Sequence, residues 1–191
     1  MTSFLSNRVA VIGLAIGLLL AGALTAARGE EDKKTPTTHY IDREKHVELD
    51  VPLTWERHFS EDAATRFIFG TGGKSAPNTQ PPELTVTTTS PDGNAETLKS
   101  LAAFAEHVRK QAGVDAKDVK FDKDKEQTLD GEKAISFTGA RTGKAGPAKF
   151  IYIVTLHNGT GYAVSFASDP ATFDAEYAGA KPWIESIKWS K

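Results

Sequence analysis

The sequence predicts an α+β fold, an antiparallel β-sheet of about six or seven strands flanked by helices in an α/β/α sandwich. Three observations carry that expectation. Short stretches alternate apolar and polar residues with a period of two, hairpin signals rather than long crossovers join them, and only two segments repeat their apolar residues at helical spacing.

The chain begins with an address. Arg8 precedes an unbroken run of apolar and glycine residues, Val9 to Leu24, which gives way to Thr25-Ala26-Ala27-Arg28-Gly29 and then to a charged stretch from Glu30. A positive start, an apolar middle and a small-residue exit are the parts of a secretory signal peptide. The run is 16 residues long, or 19 with Thr25 to Ala27, between a signal segment and a membrane-spanning helix of about 20. Residues 1–29 are therefore expected to be a signal peptide cleaved after Ala27 or Gly29. Uncleaved, residues 9–27 would be an N-terminal anchor. Both readings export the remainder, to the periplasm or beyond. Residues 30–39, charged and aperiodic, are expected to be a linker, and 40–191 a single folded domain.

In that domain His46 to Val51 alternates as a half-buried strand that Pro52 ends. Thr65 to Phe69 and Leu84 to Thr89 read as two more, separated by a Gly- and Pro-rich loop. From Ala95 to Ala112, Leu98, Leu101, Ala105, Val108 and Ala112 fall on one helical face, with Asn94 as the expected N-cap and Gly113 beyond the end. Val119 and Phe121 suggest a short strand. Asp130-Gly131 turns the chain into a strand over Lys133 to Thr142, and Lys149 to Leu156, apolar on both faces, is the best candidate for a central strand. Asn158-Gly159 is the clearest hairpin signal and leads into Tyr162 to Ala167. Ser168-Asp169-Pro170 starts a second helix carrying Phe173, Tyr177, Ala180, Ile184 and Ile187, which Pro182 is expected to kink or break.

Two local patterns resemble a known family. Val47-Glu48-Leu49-Asp50-Val51-Pro52-Leu53-Thr54-Trp55 resembles the first strand of PsbP-like domains. The hairpin at Gly131, the strands 148–156 and 161–168, and the closing Trp183-Ile184-Glu185-Ser186-Ile187-Lys188 are similar to the same group, which includes bacterial DcrB-type proteins. The resemblance covers roughly residues 40–189. It implies an antiparallel sheet flanked by helices and a non-enzymatic role, as in extrinsic photosystem II subunits and exported partner-binding modules. Cyanobacterial relatives are typically lipoproteins, an attachment that a chain without cysteine cannot use.

Composition narrows the function further. With no cysteine, a disulfide scaffold, a cysteine-ligated metal and a thiol nucleophile are excluded. The net charge of −2 becomes −4 once Arg8 and Arg28 leave with residues 1–29 (21 basic against 25 acidic), and the signs are interspersed, unlike a nucleic-acid binder. Gly73-Lys74-Ser75 is not a phosphate loop, because position 68 is Ile where glycine is required and Pro77, Pro81 and Pro82 prevent the following helix. Asp122-Lys123-Asp124-Lys125-Glu126 fails as a calcium loop, with Gln127 and Lys133 at the positions of the glycine and the bidentate glutamate, and reads as a solvated edge strand. His39, His46, His58, His107 and His157 have no metal-site spacing, although His46 and His58 flank the Pro52–Trp55 corner; Ser165 has no local base, and Asn158-Gly159-Thr160 is sufficient as a turn. Trp55, Trp183, Trp189, Phe59, Phe67 and Phe69 are either a ligand groove or, the preferred reading, core filling between helix and sheet. No catalytic, cofactor or metal residue is assigned, and partner-binding residues are not specified. The expected function is an exported, non-enzymatic domain that binds a protein or envelope component, with a periplasmic small-ligand or ion carrier as the alternative.

Overall fold

The computed structural model describes residues 35–71, 79–114, 117–143 and 146–190. The export segment, linker residues 30–34 and the Gly73-Lys74-Ser75 sequence lie outside them. The fold is α+β, built on two antiparallel sheets. A three-stranded sheet holds β1 (Thr37–Asp42), β2 (Val47–Pro52) and β11 (Lys188–Trp189) in the order β1-β2-β11. An eight-stranded sheet runs β3 (Trp55–His58), β4 (Thr65–Thr71), β5 (Glu83–Thr89), β10 (Thr160–Ser168), β9 (Gly146–His157), β8 (Glu132–Gly143) and β6 (Lys117–Phe121), with β7 (Lys125–Leu129) also paired to β8.

The pleat of β10, the middle strand, separates two cores. Its inward residues Tyr162, Val164 and Phe166 join Phe67, Phe69, Leu84, Val86 and Ile153 beneath β2 and helix α3 (Phe173–Glu185). On the opposite face, Ala163 and Gly161 are small, which lets helix α2 (Leu101–Val114) lay Phe104, Ala105 and Val108 against Val154 and Phe137. The strand expected to be central, β9, is interior, between β10 and β8.

Several local expectations change. Residues 37–39 are strand rather than linker, because β1 pairs Thr37 with Pro52 and Asp42 with Val47. The single helix over 95–112 is two: α1 (Ala95–Leu98), then a bend, then α2. Asn94 occupies the N-cap position of α1 as expected, but its side chain makes no capping bond, its amide donating instead to the carbonyls of Ser90 and Asp92. Ser100 caps α2, its Oγ accepting from the amide of Ala103 at 3.1 Å. Gly113 lies inside α2, and α3 continues past Pro182 to Glu185. A proline this near the C-terminus forfeits only its own bond to Ala178, while Ile184 beyond it stays anchored in the core. Both hairpin signals hold: Asp130-Gly131 and Asn158-Gly159 have positive φ of 44° and 82°, and 48° and 77°, the geometry of a type I′ turn.

The C-terminal strand is clamped by a turn. The Asp130 carboxylate accepts from the Lys188 Nζ and the Trp189 backbone amide, each at 2.9 Å, and the Trp189 indole N–H donates to the carbonyl of Leu129. Those donors, Lys188 first, hold the Asp130 carboxyl below its ordinary range. Its contribution is therefore present above the unfolded value of about 3.9 and is lost as the pH falls through the lower folded one. Asp130→Asn keeps the turn and removes the charge. It is expected to cost about 1 kcal/mol at neutral pH and to lessen the acid-induced fall in melting temperature below about pH 4; equal acid limbs in the two proteins would contradict the clamp.

Candidate functional site

The site lies where one end of β1 meets the edge of the large sheet. Strand β3 is an edge strand and pairs Arg57 with Phe69 and His58 with Ile68 of β4, so Arg57 points to the small-sheet side and His58 to the other. Tyr40 of β1 lies over β4, its ring 4.7 Å from that of Phe69 and 6.4 Å from that of Phe67. The chain then turns through 59–64 into β4. Between these elements is a cleft of about 240 Å³ lined by Asp42, Arg57, His58, Phe59, Asp62 and Arg66 among others.

The charges in the cleft differ in what they have left to offer. Arg66 Nε donates to Asp42 Oδ2 at 2.6 Å, and its Nη1 donates to the carbonyl of Ala63. Burial works to raise the Asp42 carboxyl, but the Arg66 bond and the Lys45 amide outweigh it and hold it below its ordinary range. The Arg66 guanidinium is correspondingly pushed up by Asp42. Asp62 accepts from the Ala64 amide at 2.9 Å and the Thr65 hydroxyl at 3.1 Å, so it is the capping residue of its own turn. Arg57 is different. Its guanidinium carbon sits 5.3 Å from the ring centre of Phe67, 5.4 Å from Phe59 and 6.0 Å from Tyr40, and no carboxylate among the described residues pairs with it. Phe59 is 88% exposed.

The structure separates the residues singled out in the sequence. Phe67 and Phe69 are buried; Trp55 packs edge-on against Trp183 at 5.2 Å and Trp189 stacks on His157 at 5.3 Å, so the core reading holds for five of the six large aromatics and fails for Phe59. His46 occupies the β1–β2 turn, where its carbonyl accepts the Ser190 amide, while the His58 ring packs over Gly70; the corner does not join them. His39 lies between Asp50 (2.8 Å) and Glu48 (3.5 Å) on the outer face of the small sheet, His157 bonds Glu132 at 3.0 Å, and His107 is on α2. Among the described residues no group of three or more His, Asp or Glu is arranged to hold a metal. Of the acidic stretch expected to be a solvated edge strand, residues 122–124 link β6 to β7 and only Lys125 and Glu126 are strand, while Asp124 pairs with Arg109 of α2. Arg57, Arg66 and Asp42 were not candidates in the sequence. The available signal was the alternation Trp55-Glu56-Arg57-His58-Phe59, which places Trp55, Arg57 and Phe59 on one side of a strand.

A large antiparallel sheet with α2 on one face and α3 with a small sheet on the other defines the PsbP-like class of fold, which Mog1p shares. No family profile matches the sequence, and no curated protein matches it. Among solved structures the chain is similar to cyanobacterial PsbP (CyanoP) from Synechocystis sp. PCC 6803, with a TM-score of 0.58 and 14% identity over 81% of this chain and 93% of that one. It is also similar to LpqN of Mycobacterium tuberculosis, described as involved in cell envelope biogenesis, at 0.56 and 12% over 82% and 91%. The Saccharomyces cerevisiae Ran-binding protein Mog1p matches at 0.50 and 6% over 81% and 96%. These likenesses bear out the fold that the PsbP-like resemblance implied.

Proposed function

We propose that this chain is an exported, non-enzymatic module that binds a protein partner through the cleft around Arg57 and Phe59. The observation that carries the reading is the pairing of an 88% exposed phenylalanine with an arginine that has aromatic faces and no carboxylate among the described residues. Large aromatics and arginines are the residue types that dominate protein interfaces. The acids of the cleft are already engaged, Asp42 by Arg66 and Asp62 by its own turn, so neither is poised as a general base.

The small-ligand carrier requires an apolar cavity between sheet and helix. That space instead holds Phe166, whose ring lies 5.7 Å from the buried Phe173 and 5.8 Å from the half-buried Tyr177. Partner binding is also what the Ran-binding description says of Mog1p, and the envelope is where LpqN is described as acting. Export rests on Val9–Leu24; no helix among the described residues is long and apolar enough to cross a membrane. The chain enters β1 beside Leu53, whose amide donates to the carbonyl of Pro36 at 3.0 Å, whereas the cleft lies at the Asp42 end. At about 3.3 Å per residue the strand separates the two by roughly 17 Å.

Affinity purification of the tagged full chain from the envelope of its source cell tests the reading. The wild type is expected to retain a partner that Phe59→Asp loses, with both proteins melting at the same temperature. Equal recovery from the two would overturn it.

A further inference from the structure

The partner's chemistry follows from what Arg57 lacks. Resting on the reading above, we infer that the cleft takes an acidic side chain, aspartate or glutamate, adjacent to an aromatic or large apolar residue in an exposed segment of a partner protein. The rings of Phe59, Phe67 and Tyr40 contact the guanidinium within 5.3–6.0 Å, so its in-plane N–H groups are the donors left to bind. That planar fork matches a carboxylate bidentately. Arg66 offers no second such group, being bound to Asp42 and to the carbonyl of Ala63. The exposed ring of Phe59 supplies the apolar contact beside the charge.

The same lining selects against phosphate. Of the two arginines that line the cleft, Arg57 is the one without an acidic partner among the described residues, and the Asp42 and Asp62 carboxylates lie in the same cleft. One carboxylate brings one negative charge, which Arg57 balances. A phosphate ester brings close to two and would place the second near Asp62. Without Phe59 the arginine would lose one face of its aromatic frame, and with lysine in its place the fork itself is gone.

The probe is a fluorescein-labelled, C-terminally amidated peptide with a single acid, Gly-Ser-Glu-Phe-Ser-Ser-Gly, titrated by anisotropy with the full chain in dodecyl maltoside. Its controls are the same peptide with Gln for Glu, and inorganic phosphate as a competitor. The acidic peptide is expected to bind about tenfold or more tightly than its amide counterpart, and added salt should weaken it. Arg57→Gln should abolish that difference, Arg57→Lys should restore part of it, Phe59→Ala should weaken both peptides, and phosphate should not compete. Equal affinity for the two peptides, an unaltered preference in folded Arg57→Gln, displacement by phosphate or absence of binding would each overturn the inference. Partner recovery that still depends on Phe59 would then leave the docking site standing and the carboxylate chemistry wrong.

Discussion

Phe166→Ala is expected to lower the free energy of unfolding by about 3–5 kcal/mol, which for a domain of this size lowers the melting temperature by roughly 6–20 °C. Phe166 is fully buried on β10, where its backbone pairs with Leu84 and Ile151. Its ring faces Phe173 and Tyr177 of α3 and lies 6.4 Å from Trp55 of β3. Removing it opens a cavity where strand edge, helix and middle strand meet, and these layers cannot all collapse into it. Phe59→Ala deletes the same atoms from an exposed position and should change stability by no more than about 0.5 kcal/mol. Chemical denaturation of the two variants checks the contrast. Similar losses from both would mean that the division between core and surface aromatics is misdrawn.

The second large effect comes from adding atoms. A Cβ on Gly139 would lie 2.6 Å from the carbonyl oxygen of Lys120 and 2.6 Å from Cζ of Phe150. Phe150 is itself buried against the rings of Phe121 and Tyr152, and the Lys120 oxygen belongs to the β6–β8 pairing that sets Phe121 opposite Gly139. A side chain could rotate away, but a backbone oxygen moves only if the strand pairing moves. Gly139→Ala is expected to cost about 1–3 kcal/mol, concentrated at the β6 edge. Amide exchange should then accelerate in β6 well before β9 and β10. Unchanged exchange and stability together would contradict this packing.

Why the layers were legible and the edges were not has a common cause. Residues 133–142, 149–156 and 162–167 announce themselves because interior strands must be apolar on both faces and because Asn158-Gly159 and Asp130-Gly131 admit few geometries. β1 and β3 carry Thr, His, Glu and Arg on their solvent sides, and such strands gain their order from pairing with a neighbour that local periodicity does not reveal. β11 is two residues long and exists because Asp130 and β2 hold it. The 95–114 helix shows the limit of periodicity from the other side: its apolar stripe runs through Ser100 unbroken, but a serine able to cap α2 turned a continuous pattern into two helices.

The cleft was hidden for a related reason. Its parts come from β1, β3 and β4, so Asp42 and Arg66 stand 24 positions apart in the chain. Phe59 looked like core filling because its residue type is usually buried. Its position at the end of an edge strand, ahead of the Ser60–Asp62 turn, is what leaves it outside. What the cleft displays is an arginine in an aromatic frame beside a threonine hydroxyl already bound in its turn.

The docking claim is tested most directly by site-specific photocrosslinking in the source cell, with a benzophenone amino acid placed at Phe59 and, as a control, at Lys110 on the exposed face of α2. One discrete protein adduct from position 59, absent from position 110 and lost when Arg57→Gln is added, is the predicted result. The same adducts from both positions, or none from position 59 in a folded protein, would contradict it.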